Sequence, residues 1–282
     1  MSEPFGLFLF ASAPALVRDA TAAGIDGIVI DWERIGKGRR QSGADTQIGT
    51  DTIEDLVRAR AATKARILCR ANPFHEGTER EIGDAAAAGA DEVLLPMVRT
   101  AEEVERALEF ARGRVGLGIL IETVHAIEAA DALGRLPIAR AYLGLNDLSI
   151  ERRTSTIFAP LGDGTLDRLR PLLSRVPFGF GGLTIPERGD PIPCRLLIAE
   201  MTRLRCDFSF LRRSFLRDTG GRQLAPALKA IREAIEAARA RPRRLVEGER
   251  ESLLALLRAD GPGTTGASGP ATRGGTPEGA TP

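Results

Sequence analysis

A chain of 282 residues, 43% of them hydrophobic, can bury one full core, and a barrel or doubly wound domain uses about 200–250 residues. Its 39 basic and 38 acidic residues nearly cancel. That balance argues against nucleic-acid or membrane binding through bulk electrostatics, so an anionic ligand must be held by local Arg or Lys. Cys69, Cys194 and Cys206 have neither the spacing of a zinc site nor that of a disulfide framework, and free thiols suit a reducing cytoplasm.

The chain opens with "GLFLFA" (6–11). Glu3 stands where a secretion signal would carry positive charge, and the apolar run is too short to span a bilayer, so a first strand is expected. Seven more β-rich runs follow: "DGIVIDWE" (26–33), "ARILCRAN" (65–72), "DEVLLPMV" (91–98), "GLGILIET" (116–123), "AYLGLNDLSI" (141–150), "FGFGGLTI" (178–185) and "DFSFLRR" (207–213). Helical stretches separate them, beginning with "PALVRDATAAG" and "TIEDLVRARAATK" and closing with "GRQLAPALKAIREAIEAARA". Strands apolar on both faces, alternating with amphipathic helices, indicate a parallel sheet covered by helices.

Eight such units close most economically into a (β/α)8 TIM barrel, an α/β fold. An open doubly wound sheet is the alternative, but no Gly-x-Gly-x-x-Gly follows the first strand. Thr52 with Asp55, and Thr100 with Glu103, carry the spacing of helix capping boxes. The barrel is expected to occupy residues 1–240 and an extra helix 241–260. The Gly-, Pro- and Thr-rich stretch 261–282 has too little apolar mass to repay its ordering entropy and is expected to be a disordered tail.

Catalytic groups of such barrels sit at the C-terminal ends of strands. The candidates there are Asp31 and Glu33, Arg70 and Asn72, Glu122, Asn146 and Asp147, and Arg212 and Arg213. Several carboxylates converging on one mouth repel each other and ask for a cation; Mg²⁺ or Mn²⁺ suits two carboxylates with open positions for substrate oxygens. Each residue also has a plainer use. Glu122 or Asp147 can cap a helix, and Asp31 and Glu33 can pair with Arg34, Lys37 or Arg39. Four such positions in register favour a shared site over four coincidences. The basic, Gly-rich "GKGRRQSGADTQIG" can cradle a carboxylate or phosphate, or be a solvated loop. His75 and His125, the two histidines, lack metal-pair spacing, and no Gly-x-Ser-x-Gly elbow is present. No lysine ends a strand, which argues against Schiff-base chemistry.

The stretches "VIDWE", "LCRAN", "LLPMVRTAEEV" and "LIETVHAIEAAD…YLGLNDLS" resemble the HpcH/HpaI aldolase/citrate lyase family of (β/α)8 carbon–carbon lyases. The resemblance covers roughly residues 5–235, and its acids Glu122 and Asp147 lie 25 positions apart. It implies that Glu122 and Asp147 hold Mg²⁺, Mn²⁺ or a similar divalent ion, and that Arg70 binds an oxo-acid or carboxylate substrate and steadies its enolate. Asp31 and Glu33 match the region that orients a catalytic base, and Arg34, Asn146 and Arg212 join Arg70 as expected substrate contacts.

One position departs from the pattern. Aldolase members have a His after the acidic pair and citrate-lyase-like members an Asp; this chain has Arg34, which cannot act as a base at neutral pH. Glu33, a water on the metal, or the substrate itself is then the base. The implied activity is metal-dependent aldol-type cleavage or formation of a carbon–carbon bond beside a carbonyl. Alternatives are an acyl-CoA lyase or condensing synthase acting on a CoA thioester, and a non-catalytic barrel serving as a partner subunit. A homo-oligomer in the cytoplasm, with no nucleic-acid or membrane partner, is expected.

Overall fold

Alternation along short parallel strands decides which side chains line this fold. The computed structural model describes residues 4–36, 50–220 and 223–259. The strands are β1 (Gly6–Phe10), β2 (Gly27–Asp31), β3 (Arg66–Arg70), β4 (Glu92–Leu95), β5 (Gly116–Ile121), β6 (Arg140–Leu143), β7 (Phe178–Phe180), β8 (Gly182–Leu183) and β9 (Phe208–Leu211). They form one parallel sheet in the order β7-β6-β5-β4-β3-β2-β1-β9-β8. Because β7 pairs with β6 and β8 with β9, the sheet curls into a nearly closed barrel.

The expected seventh strand is thus two segments of one stave. Gly181 divides them with φ +58°, a conformation that costs glycine little. The first half hydrogen-bonds to β6, and the second turns to meet β9.

The helices are α1 (Pro14–Ala22), α2 (Ile53–Ala62), α3 (Thr78–Ala87), α4 (Ala101–Ala111), α5 (Val124–Glu128), α6 (Ala130–Leu133), α7 (Leu145–Arg152), α8 (Ala159–Gly162), α9 (Thr165–Leu172), α10 (Cys194–Arg203), α11 (Ser214–Asp218), α12 (Leu224–Ala240) and α13 (Arg243–Ala259). Thr52 caps α2 in a reciprocal box with Asp55, and the Thr100 hydroxyl accepts from the Glu103 N–H at the start of α4. The stretch between β5 and β6 holds two short helices, joined at Ala129. The sixth run also ends sooner than expected. Its strand stops at Leu143, and Leu145 to Arg152 are helical, so Asp147 lies in the first turn of a helix, where the dipole favours a negative charge.

Two hydrophobic layers result. Outward residues such as Leu7, Ile28, Ile67, Val93, Ile119 and Phe178 pack beneath the helices. Inward residues Phe8, Val29, Leu68, Leu94, Leu120, Tyr142, Phe208 and Phe210 fill the barrel as a separate plug. Below that plug a buried ion pair closes the other end. Arg140 forks onto Glu92, with Nη2 to Oε1 at 2.7 Å, and its guanidinium lies 4.5 Å from the Phe8 ring centroid and 4.7 Å from that of Phe208.

All three cysteines are buried and free. Among the described residues no helix is long and apolar enough to cross a membrane. The basic loop at 37–49 and the tail beyond Ala259 lie outside the described residues.

Candidate active site

On four of the strands the inward phase continues one step past the plug into a charged residue, and on β6 into a glycine. Asp31 follows Val29, Arg70 follows Leu68, Glu122 follows Leu120, Gly144 follows Tyr142 and Arg212 follows Phe210, each at a spacing of two. The C-terminal mouth is therefore a polar layer resting on an apolar floor of Phe10, Tyr142 and Phe210.

Arg70 is the hub. Its Nε donates to Asp31 Oδ1 at 2.9 Å and its Nη2 to Asp31 Oδ2 at 2.7 Å, a planar two-pronged fork. Its Nη1 lies 3.4 Å from Glu33 Oε2, and its guanidinium sits 5.0 Å from the Phe10 ring centroid. Burial works against the charge of Arg70, but Asp31, Glu33 and Glu122 outweigh it and hold the guanidinium firmly protonated. Glu33 is 1% exposed, and its backbone N–H donates to Asp31 Oδ1 at 3.2 Å.

Glu122 is buried across the mouth. One carboxylate oxygen accepts the Met97 N–H at 3.1 Å. Met97 adopts φ +54°, uncommon for a residue with a side chain, in order to aim that N–H. Burial, then the nearby charges of Asp147 and Glu33, push the Glu122 carboxyl up to about 8, against the opposing pull of Arg70 and the Met97 bond. Tyr142 is raised as well, first by burial and then by Glu122. The two acids expected to share an ion therefore do lie within each other's field, in a buried setting.

Gly144 makes this possible. A Cβ there would stand 2.3 Å from Glu122 Oε1 and 2.4 Å from its Cγ. Gly144→Ala is expected to drive the Glu122 carboxylate out of its seat, and a misplacement of ~1 Å in such a site costs on the order of 10²-fold in rate. Circular dichroism should show the fold intact while turnover falls.

The other expected contacts are placed as follows. Arg34 is exposed, and its Nη2 donates to the carbonyls of Thr50 at 2.9 Å and Asp51 at 2.8 Å. Arg212 donates from Nε and Nη2 to the Gly182 carbonyl at 3.2 and 3.1 Å. Asn146 is exposed on α7. Met97, Gly144 and Tyr142 were not singled out beforehand. Tyr142 was legible as an inward residue of its strand, whereas Gly144 and Met97 carry no local signal.

A family model described as HpcH/HpaI aldolase/citrate lyase matches residues 4–156. The chain belongs to that family. Solved structures agree on the fold. The HpcH/HpaI aldolase of Desulfitobacterium hafniense DCB-2 is 14% identical with TM-score 0.59, over 86% of this chain and 95% of that one. A citrate lyase from Burkholderia xenovorans LB400 is 15% identical with TM-score 0.57, over 92% and 84% respectively. The citrate synthase SbnG is 19% identical with TM-score 0.54, over 80% and 93%. No curated protein matches.

Family membership makes the chain a lyase-type enzyme of the aldolase/citrate lyase kind.

Proposed function

We infer that this protein is a divalent-metal-dependent carbon–carbon lyase of the aldolase type, acting on a small hydroxy- or oxo-carboxylate. One observation carries the reading. Three acids, Glu33, Glu122 and Asp147, interact electrostatically around Arg70 at the barrel mouth, and the buried Glu122 carboxyl is pushed up to about 8. Acids gathered this way lower their energy by sharing a cation.

The donor set fits a hard ion. Among the described residues no group of three or more His, Cys, Asp or Glu is arranged to hold a metal. Glu122 and Asp147 would supply two carboxylate ligands, leaving the remaining positions to water and to the carbonyl and carboxylate oxygens of a substrate, the usual arrangement for Mg²⁺. When bound, such an ion polarises the substrate carbonyl and spreads the charge of the enolate.

The protein's own groups divide the remaining work. Glu33 takes the substrate hydroxyl proton as the carbon–carbon bond breaks and the bonding pair passes to the carbon beside the carbonyl. Arg70, locked by the Asp31 fork, presents fixed positive charge to the developing oxyanion without reorganising. Phe10 and Tyr142 close the floor against water. Arg34 stands where aldolases carry a His, but its guanidinium is committed to the Thr50 and Asp51 carbonyls; of the three candidate bases, Glu33, a water on the metal and the substrate itself, Glu33 is the one this chain supplies. A thioester substrate or the condensing direction uses the same groups, and turnover of an acyl-CoA separates those cases. An intracellular homo-oligomer is part of the same reading.

Enolisation is testable before the natural substrate is known. With Mg²⁺ or Mn²⁺ in D₂O, the enzyme is expected to exchange the methyl protons of pyruvate, followed by proton NMR, and Glu122→Gln should slow the exchange on the order of 10²–10³-fold. If neither ion supports exchange of pyruvate or oxaloacetate protons above the protein-free rate, the lyase reading fails.

A further inference from the structure

We propose that Asn72 and Glu81 form a clamp that positions the loop bearing Glu33. The proposal rests on Glu33 as the base. Strand pairing between β2 and β3 ends at Asp31 opposite Arg70, and one further backbone bond, Trp32 N–H to the Arg70 carbonyl at 2.8 Å, carries it past the strand ends. Beyond that point the chain after Glu33 has no strand to lie on.

Asn72 substitutes for the missing strand. Its Oδ1 accepts the backbone N–H groups of both Arg34 and Ile35, each at 2.8 Å. Its Nδ2 donates to Glu81 Oε1 at 2.6 Å, and its own backbone N–H donates to Glu81 Oε2 at 3.1 Å. The two loop N–H groups demand an oxygen and the Glu81 carboxylate demands a donor, so the amide can face only one way.

Glu81 lies in the first turn of α3, a rigid element, and His75 Nε2 stands 3.6 Å from the same carboxylate oxygen. Asn72 is buried at 8% exposure, where each unmet partner would be costly. Trp32 packs into the core ahead of Glu33, whereas beyond it, with the Arg34 guanidinium tied to Thr50 and Asp51, the exposed Arg34 and Ile35 are held by hydrogen bonds. Asn72 and Glu81 act through Glu33; they are positioning residues.

The clamp can be inverted. In Asn72→Asp combined with Glu81→Gln, the new carboxylate still accepts both loop N–H groups, its second oxygen accepts from the new amide, and the amide oxygen accepts the residue-72 N–H. Every bond is restored, with donor and acceptor exchanged only in the one between the two side chains. Asn72→Asp alone instead sets two carboxylates against each other.

The single variant is expected to lower kcat for pyruvate proton exchange by about 10- to 100-fold, the cost of a misplaced group, with a smaller change in KM. It should also accelerate hydrogen exchange at the Arg34 and Ile35 amides, read by mass spectrometry on the peptide spanning 32–36. The double variant should recover most of both losses, with melting temperatures separating these effects from general unfolding. Unchanged amide exchange in Asn72→Asp, or a double variant no better than the single one, overturns the clamp. If wild type shows no pyruvate exchange, the lyase reading falls, and amide exchange in the same variants still decides whether the loop is clamped.

Discussion

Under the proposed function, Glu122→Gln is expected to erase the protein's response to divalent cations and to flatten the pH dependence of its stability. In the metal-free wild type, the folded state holds the Glu122 proton up to about pH 8, whereas an unfolded glutamate releases it near 4.5. The folded state therefore binds more protons across that interval, and stability must fall as pH rises through it. The contribution is complete below the unfolded value and gone above about 8. A divalent ion replaces the proton, so binding should release protons and strengthen with pH.

Thermal melts at pH 5, 6.5 and 8, with and without Mn²⁺, are expected to show metal-free stability declining and the Mn²⁺ increment growing. At 100 times Kd that increment is about 2.7 kcal/mol. Gln at this position stays neutral throughout. Its metal-free curve should be flatter and its Mn²⁺ increment absent, and enolisation should fall on the order of 10²–10³-fold, the scale for losing one charge-stabilising group. A Gln variant that melts with the full Mn²⁺ increment would remove Glu122 from the metal site.

Arg70→Ala is expected to be the most destabilising single change in the mouth. It strips Asp31 of a two-pronged partner and removes the guanidinium that lies 3.4 Å from the 1%-exposed Glu33. Breaking a buried pair by removing one partner costs about 3–5 kcal/mol, because the surviving charge stays desolvated. Urea unfolding at pH 7 should show that loss, and a divalent ion should recover part of it by entering the same field. Arg70→Lys keeps the charge but not the fork, so it should restore stability better than activity. A loss below about 1 kcal/mol in Arg70→Ala would place Asp31 and Glu33 in the surface-pair class and deny the hub its role.

How much of the site was readable beforehand follows from the geometry of strands. Asp31, Arg70, Glu122 and Arg212 each follow an inward apolar residue at a spacing of two, and that rule is local. It marks them as rim residues before any coordinate is known. Asp147 obeys a different rule. It is three residues past Gly144 on a helix, and its place beside Glu122 depends on how the sixth stave meets the fifth. Reading "AYLGLNDLSI" as one strand put Asp147 in the right neighbourhood on the wrong element, since an apolar run of that length does not reveal where extended backbone gives way to helix.

The residues that seat the acids were not legible. Gly144 is one glycine among 31, and only its approach to Glu122 shows why a methyl there is excluded. Met97 offers an N–H to Glu122 because its backbone adopts an unfavourable conformation that no composition signals. Arg34 donates to the Thr50 and Asp51 carbonyls, a contact that no local pattern around position 34 announces.

By itself, then, the order of residues determined the repeated strand–helix architecture, the inward phase of each strand and the kind of chemistry gathered at one rim, because periodicity and side-chain type are properties of neighbours along the chain. Tertiary structure alone decided the split of the seventh stave at Gly181, the seat of Glu122 against Gly144 and Met97, and the binding of the Glu33 loop to Asn72 and Glu81. Those depend on distances between staves, which are set when the barrel curls closed, and on which backbone groups are left without a partner when it does.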